Sequence, residues 1–279
     1  MGLSDNEFLG KSETLSILYH DIFDYPLNVK EIIKWRVGKG AGITPLRQGF
    51  AGLASKNGLY FLKGKENLLY KRSLRERISN RKIEIAKKNA SLLAKIPTIK
   101  GVFVTGALAM KNAEEESDID LMIITKTNLL WLTRLVILVI LVILHIPFRR
   151  AGRKDERDKL CINIWLDESA LSWDKKDRNI YSAHEIAQVN PIVDKENIYQ
   201  RFLDKNRWIL DYWPNSVRIK DTKDKIKGNV NTNNLLERIS FWIQYKYMAK
   251  RITREKIGLH KAIFHPTNWG KVVLKRLSS

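Results

Sequence analysis

The sequence predicts a mixed α/β chain of the α+β type, in which a small mixed sheet is flanked by helices. Three short apolar runs, at residues 102–104, 119–124 and 161–165, have the length and composition of buried strands. The chain has 279 residues and a hydrophobic fraction of 44%, which is enough for sizeable cores and favours more than one domain. We predict an N-terminal module at 1–70, a linker helix at 71–98, a sheet domain at 99–190 and a C-terminal helical region at 191–279.

The N-terminal module is predicted to contain three helices and a hairpin. Thr44 and Pro45 provide a favourable helix start, as a cap and a first-turn residue, for the third helix. These elements together predict a winged helix, whose third helix, with Arg47, Gln48 and Lys56, would enter the major groove of a nucleic acid. A winged helix that contacts protein, or packs on the next domain, is an equally open alternative. The predicted elements are helices at 13–22, 29–37 and 44–56 and hairpin strands at 59–62 and 68–70.

The chain is strongly basic, with a formal net charge of +20 at pH 7. The excess of lysine and arginine is spread over the linker helix and the C-terminal helices. Such an excess attracts phosphate backbones in a sequence-independent and salt-sensitive way. We therefore expect a polyanionic partner, either a nucleic acid or an anionic membrane surface.

The sheet domain contains a pair of carboxylates at the start of its second strand. Asp118 and Asp120 are two residues apart, so in a strand they project from one face, about 7 Å apart along the chain. Upstream, Gly106 and Ala107 form a sharp turn between the first strand and a short helix at 108–112. Glycine permits the close approach of a ligand, and free amides at a helix start favour phosphate. The pattern indicates a divalent cation beside phosphates, and a turn neutralised by lysine or arginine is the alternative.

This pattern resembles the nucleotidyltransferase superfamily typified by DNA polymerase beta and the kanamycin nucleotidyltransferases. The family motif is an apolar strand, Gly-Ser, a spacer, Asp-x-Asp and a third acid on a later strand, and the resemblance covers residues 99–165. It implies Asp118 and Asp120 as catalytic residues that bind Mg²⁺ or Mn²⁺, with a nucleoside triphosphate as substrate. It also implies nucleotide contacts at Gly106 and Ala107, to which we add Lys111 and Ser117 as neighbouring candidates.

The chain departs from the family motif at two positions. Ala107 replaces the serine that contacts phosphate, and Asn163 stands where the third acid is expected. An asparagine offers a neutral oxygen to a hard cation, so Asn163 remains a candidate metal ligand, but it removes a charge and a potential base. Asp167 and Glu185 are the alternative acids. The segment around Glu185 has the composition of a surface helix turn.

An apolar segment at 129–148 raises the question of a membrane. Its uninterrupted part lies between Arg134 and His145 and has ten residues. As a helix it spans about 15 Å, half of a bilayer core. We therefore predict a helix buried on the sheet in preference to one that spans a membrane. Association with a membrane surface is the less favoured alternative, since Arg149 and Arg150 would suit an anionic lipid surface as well as a nucleic acid.

The rest of the chain favours an intracellular protein with a helical C-terminal region. Cys161 falls in a predicted strand and is interpreted as an inert core residue, and a polar segment at 1–11 favours a cytoplasmic location. Amphipathic helices are predicted at 199–213 and 235–256. Their aromatic residues Trp208, Trp242 and Tyr245 are predicted to lie in the core, together with Met248.

Three functions are consistent with these patterns. The first is a metal-dependent nucleotidyltransferase that moves a nucleoside monophosphate to an unknown acceptor. The second is a nucleic-acid-binding regulator whose transferase domain is degenerate, as Ala107 and Asn163 allow. The third is a protein of the membrane surface.

Overall fold

The computed structural model describes residues 9–41, 52–150, 155–222, 234–250, 252–253, 255–264 and 269–278. These residues form two sheets with helices around them, so the predicted α+β class is confirmed. The helices are α1 (Lys11–Asp21), α2 (Val29–Lys34), α3 (Asn67–Leu93), α4 (Gly106–Ala109), α5 (Leu130–Ile143), α6 (Ile180–Ala187), α7 (Ile198–Lys205), α8 (Ile209–Tyr212), α9 (Leu235–Ala249) and α10 (Trp269–Ser278). The strands are β1 (Leu27–Asn28), β2 (Leu53–Lys56), β3 (Leu59–Leu62), β4 (Ile99–Val104), β5 (Ile119–Thr125), β6 (Leu160–Asp167), β7 (Asn190–Asp194), β8 (Lys256–Ile257) and β9 (Lys261–Ile263).

The N-terminal hairpin lies earlier in the chain than predicted. Strands β2 and β3 pair antiparallel around Asn57 and Gly58, which both have positive φ, at 55° and 72°. An Asn-Gly turn of this kind matches the twist of two flanking strands. The predicted third helix is therefore wrong at its described end, where Lys56 lies in β2; its other part, with Arg47 and Gln48, lies outside the described residues.

The linker helix starts before its predicted boundary. Residues 68–70, expected as the second hairpin strand, belong to the first turn of α3, and β3 pairs with β1 on its other edge. The buried side chains of α3 recur at helical spacing, at Ile78, Lys82, Ala86 and Ala90. This stripe holds the helix against the larger sheet.

The larger sheet has six strands in the order β7-β4-β5-β6-β9-β8. The three apolar runs predicted as strands form β4, β5 and β6, which confirms these predictions. Strand β4 is antiparallel to β5, and β5 is parallel to β6. Because β5 and β6 are parallel, their first residues meet at one edge of the sheet. That edge holds Asp118, Asp120 and Cys161.

Both faces of this sheet are covered, which explains the continuous apolar character of β5. Met122 and Ile124 face a core that also contains Tyr19 and Trp35 from the N-terminal segment. Leu121 and the other alternate residues face a second core, formed with α3 and α5. The N-terminal segment thus packs directly on the sheet that carries the carboxylates.

Helix α5 is buried on one face only, in contrast to the prediction for 129–148. Trp131, Ile137 and Leu141 lie in the core, whereas Val139 and Ile143 are exposed. Within the described ranges, no helix is long and apolar enough to cross a membrane.

The C-terminal helices also differ from the predictions. The predicted helix 199–213 is divided into α7 and α8 at Asn206, whose buried side chain hydrogen-bonds the carbonyls of Leu171 and Phe202. The predicted helix 235–256 ends at Ala249, where α9 ends. Trp242 and Tyr245 on α9 are exposed and are not core residues, because the apolar side of α9 is wider than the face that packs on α5.

Candidate functional site

A cavity of 420 Å³ lies at the sheet edge where β5 and β6 begin. The N-terminal segment and helix α6 form its other walls, so it lies between the sheet and the elements packed on it. Asp118 and Asp120 line the cavity together with Gly106, Ala107 and Asn163, as the resemblance implies. Other lining residues include Tyr25, Asn112, Arg149, Tyr181, His184, Glu185 and Gln188.

The turn at Gly106 requires a glycine for two reasons. Its φ is +60°, and a Cβ atom at this position would lie 2.7 Å from Asp120 Oδ2. A side chain would therefore displace the carboxylate. Helix α4 begins at Gly106 and has one turn only, so it starts and ends earlier than the predicted helix at 108–112.

Lys111 and Ser117 are not among the residues that line the cavity. The Lys111 ammonium lies 3.9 Å from Glu76 at the surface. The Ser117 hydroxyl donates to the carbonyl of Glu114 at 2.8 Å and closes the turn before the carboxylates. Lys111 thus makes a surface contact and Ser117 a contact within the turn, and neither residue lines the cavity as predicted for a nucleotide contact.

Protein groups contact both carboxylates. Asp118 Oδ2 lies 3.0 Å from the Arg149 guanidinium, which also pairs with Glu156. Asp120 Oδ1 accepts a hydrogen bond of 2.5 Å from Asn163 Nδ2. Burial, followed by the charge of Asp118, raises the pKa of Asp120 to about 7. The sequence leaves open whether the carboxylate pair binds a cation or is a turn neutralised by a basic side chain. In the structure the same residues serve both arrangements.

Asn163 lies at a bulge in β6, and its side chain reaches Asp120. Leu121 pairs with Ile162 and Met122 pairs with Ile164, so Asn163 is the extra residue of its strand. Bulges of this kind redirect a side chain beside a site. The Oδ1 atom of Asn163 is buried, and no donor for it lies within the described part of the chain. A buried oxygen without a donor is suited to a cation.

The donor set fits a divalent cation. Ligand atoms of Asp118, Asp120 and Cys161 lie within 4.8 Å of one another. Burial raises the pKa of the Cys161 thiol, so the two carboxylates are the stronger candidates for charged ligands. Together with the amide oxygen of Asn163 they provide the hard oxygen donors that Mg²⁺ and Mn²⁺ prefer.

Helix α6 contributes a third carboxyl group to the cavity. The predicted surface helix turn is wrong, because His184 is buried and Glu185 lines the cavity. Burial, followed by the charge of Asp120, raises the pKa of Glu185 to about 8. Gln188 donates to Glu185 Oε1 at 2.6 Å and to the carbonyl of Gly106 at 3.3 Å, so it links the two sides of the site.

Asp167, the other alternative acid, serves a different contact. It is fully buried at the far end of β6, where Oδ2 accepts from the backbone of Asn128 and lies 2.7 Å from His260 Nδ1. Of the two alternative acids, Glu185 is therefore the one that lines the cavity with the carboxylate pair.

A buried histidine pair lies in the wall of the cavity. The Nε2 atoms of His20 and His184 are 3.1 Å apart, and His20 Nδ1 is 2.8 Å from the carbonyl of Ser16. Trp35 and Trp213 pack around both imidazole rings. Burial lowers the pKa of both histidines, that of His20 to about 4, so both rings are neutral at pH 7.

The loop before Asp118 is held by a buried lysine. The Lys82 ammonium is fully buried and donates to the carbonyls of Glu115 and Ser117 and to Asp158, at 2.7 to 2.9 Å. These three acceptors match the three hydrogens of an ammonium group. Lys82 therefore fixes the approach of the chain to the carboxylate pair.

We expect Lys82→Met to lower the free energy of unfolding by about 2–4 kcal/mol, because it removes the buried donor to two loop carbonyls and a cationic partner of Asp158, which keeps its contact with Arg81. Urea denaturation followed by circular dichroism measures this loss. The control is Lys87→Met on the same helix, where an exposed pair with Glu84 is removed and a change below about 0.5 kcal/mol is expected. Equal stability of the two variants would contradict the role given to Lys82.

No family model, curated protein or solved structure matches this chain. The resemblance to nucleotidyltransferases therefore depends on the motif and on the site geometry described above.

Proposed function

We propose that this protein is a metal-dependent nucleotidyltransferase that moves a nucleoside monophosphate from a nucleoside triphosphate to an acceptor. The observation that supports this function most is the convergence of Asp118, Asp120, Gly106 and Asn163 at one end of a cavity. The strand, glycine turn, short helix and carboxylate strand follow one another as in the family motif. The acceptor is not specified by the motif, and a nucleic acid would suit the charge of +20.

In this proposal Asp118, Asp120 and Asn163 hold the cation. A bound Mg²⁺ supplies charge neutralisation at the phosphates and at the leaving pyrophosphate. An acceptor hydroxyl oxygen forms a bond to the α-phosphorus, the bond from that phosphorus to the pyrophosphate oxygen breaks, and the hydroxyl proton leaves. Glu185 lines the same cavity and in its ionised form can take this proton, since a raised pKa of about 8 makes that form a stronger base than an exposed carboxylate. Arg149 pairs with Asp118 and Glu156, and its guanidinium can exchange these carboxylates for a phosphate of the substrate.

The test is incubation of the full chain with each of the four labelled ribonucleoside triphosphates and Mg²⁺. Total RNA and a panel of small hydroxyl and amine compounds serve as acceptors. We expect pyrophosphate release together with transfer of the α-phosphorus label to one acceptor class. Binding of triphosphate without label transfer to any acceptor would leave a binding protein and overturn the proposal.

A second function, a nucleic-acid-binding regulator, is favoured by one observation. Arg149 pairs with Asp118 and Asn163 donates to Asp120, so protein groups alone can satisfy the two carboxylates, as expected for a degenerate site. This function predicts salt-dependent retardation of RNA or DNA that does not change in Asp118→Asn. Absence of retardation of either nucleic acid at low salt would count against it.

Asn163→Asp is expected to change the response of the protein to Mg²⁺. Without metal, a carboxylate facing Asp120 lowers the free energy of unfolding by about 1–3 kcal/mol, because two like charges share a buried site. With Mg²⁺ the added ligand strengthens binding, so the variant is stabilised by metal more than the unmodified protein. Thermal unfolding with and without Mg²⁺ measures both effects. A variant that Mg²⁺ does not stabilise would show that Asn163 is no ligand.

A further inference from the structure

Helices α5 and α9 together present an exposed apolar surface. The exposed large side chains on α5 and the residue after it are Leu135, Val136, Val139, Val142, Ile143 and Leu144. Those on α9 are Leu235, Leu236, Ile239, Trp242, Ile243, Tyr245 and Tyr247. Isolated exposed apolar residues are ordinary on a protein surface, but a continuous set on two adjacent helices indicates an interaction site.

The two helices form one continuous surface because they contact each other directly. Glu237 on α9 accepts hydrogen bonds from the backbone amides of Trp131 and Leu132, at 2.6 and 2.9 Å, and so caps α5. Gln244 donates to the carbonyl of Trp131 at 2.8 Å. The rings of Trp131 and Phe241 lie 5.0 Å apart. The exposed residues therefore lie on a rigid pair of helices.

The charge of this surface has one sign. The sequence from 129 to 150 contains no aspartate or glutamate. Glu237 is the single acid from 235 to 250, and it is buried at the start of α5. Arg238, Lys246 and Lys250 are exposed among the apolar residues of α9. A partner for this surface must therefore offer an apolar part for the apolar side chains and negative charge for the arginine and lysines.

The aromatic residues indicate what kind of partner this is. Trp242 is 56% exposed and Tyr247 is 74% exposed. The Lys246 ammonium lies 3.8 Å from the centre of the Trp242 ring, so the lysine stem and the indole lie side by side. Tryptophan and tyrosine favour the boundary between lipid headgroups and acyl chains, and lysine extends from there to anionic headgroups. Aliphatic, aromatic and cationic residues together on one helix face are typical of helices that lie on membranes.

We propose that the surface formed by α5 and α9 binds an anionic lipid bilayer, with both helices lying in the plane of the membrane. Binding of this kind places apolar side chains among the acyl chains and arginine and lysine at the headgroups, and it requires no spanning helix. A second copy of the chain is a less favourable occupant, since Arg238, Lys246 and Lys250 would face equal charges across the interface. A nucleic acid would leave the aliphatic residues in water.

The test is co-sedimentation of the full chain with vesicles of phosphatidylcholine, with and without phosphatidylglycerol. We expect binding that requires phosphatidylglycerol and decreases with added salt. The triple variant Arg238→Gln, Lys246→Gln, Lys250→Gln should bind about a hundredfold more weakly, at about fivefold for each charge. Its matched control removes three exposed charges of α3, at Arg77, Lys87 and Lys88, and should bind nearly as the unmodified protein does.

The apolar part of the surface is tested by Trp242→Ser with Ile243→Ser. Both side chains are exposed, so the fold is retained, and vesicle binding should fall at least about tenfold. Tyr70→Ser, at a 70% exposed aromatic on α3, is the control and should leave binding unchanged. Equal losses in the α3 and α9 charge variants would show a general attraction and overturn the proposal. Dimerisation that the Trp242 and Ile243 changes abolish, without vesicle binding, would assign the surface to a second copy instead.

Discussion

Asp118→Asn combined with Asp120→Asn is expected to reduce nucleotidyl transfer by about a thousandfold or more. The two carboxylates are the charged ligands of the proposed cation, whose electrostatic contribution is several kcal/mol at the transition state. Their amides keep the size and shape of the site but remove its charge. The rate of label transfer from the α-phosphorus position, measured at saturating triphosphate and Mg²⁺, gives the loss directly.

The same double variant should remain folded and be at least as stable as the unmodified protein without metal. Ionised Asp120 lies beside Asp118 in a buried site, and its raised pKa shows that this charge is unfavourable there. Asp155→Asn with Asp174→Asn, two exposed carboxylates outside the cavity lining, is the matched control and should retain full activity. Transfer that persists in the Asp118 and Asp120 variant would exclude this site as the active one.

Lowering the pH from 7 towards 4 is expected to remove the contribution of the buried pair His20 and His184 to the free energy of unfolding, while the raised pKa values of Asp120 and Glu185 act in the opposite direction. The pKa of His20 is lowered to about 4, chiefly by burial, while the unfolded chain titrates near 6.5. The unfolded state therefore binds more protons below pH 6.5. The contribution of His20 to the free energy of unfolding is fully present above that value and is lost as the pH falls towards 4, by about 3 kcal/mol. His184, whose pKa is also lowered, adds to the loss.

Urea denaturation at a series of pH values measures this slope. His184→Gln retains a hydrogen-bonding group near the Nε2 position but does not titrate. The variant should be less stable at pH 7, and its stability deficit relative to the unmodified protein should become smaller below pH 6.5. His145→Gln is the control, because His145 is exposed. A decline equal in all three proteins would assign the acid sensitivity to other groups.

Much of the sheet and part of the site could be predicted from local patterns. The runs that became β4, β5 and β6 are apolar on both faces, and such runs have few alternatives to a buried strand. The Asp-x-Asp spacing placed both carboxylates on one side, and Gly106 marked the turn beside them. These features depend on neighbours within a few residues.

Other parts of the site depend on contacts between distant segments. Glu185 lines the cavity because α6 packs against the sheet edge, and nothing in its own turn distinguishes it from a surface residue. The ion pair of Arg149 with Asp118 and the hydrogen bonds of Lys82 join residues about 30 to 76 positions apart. The bulge that turns the Asn163 side chain towards Asp120 is a property of the strand pairing, and local composition does not predict it.

The N-terminal hairpin shows an error of a different kind. Asn57 and Gly58 form a strong local turn signal, which outweighs the helical pattern predicted through residues 53–56. The apolar residues of α5 and α9 are predicted to lie in the core, but they exceed what one contact surface can bury, so one face of each helix is exposed. Apolar content alone does not tell a core from an interaction surface.

The sequence by itself determined the α+β class, the three central strands and the carboxylate pair, because strand periodicity and turn chemistry act over a few residues. The tertiary structure decided which groups face that pair, which histidines are buried and which apolar residues stay exposed. These are properties of packing, set by segments that are distant in the chain and adjacent in space. The sequence thus predicts the carboxylate pair Asp118 and Asp120, and only the fold shows how Asn163, Arg149 and Glu185 are placed around that pair.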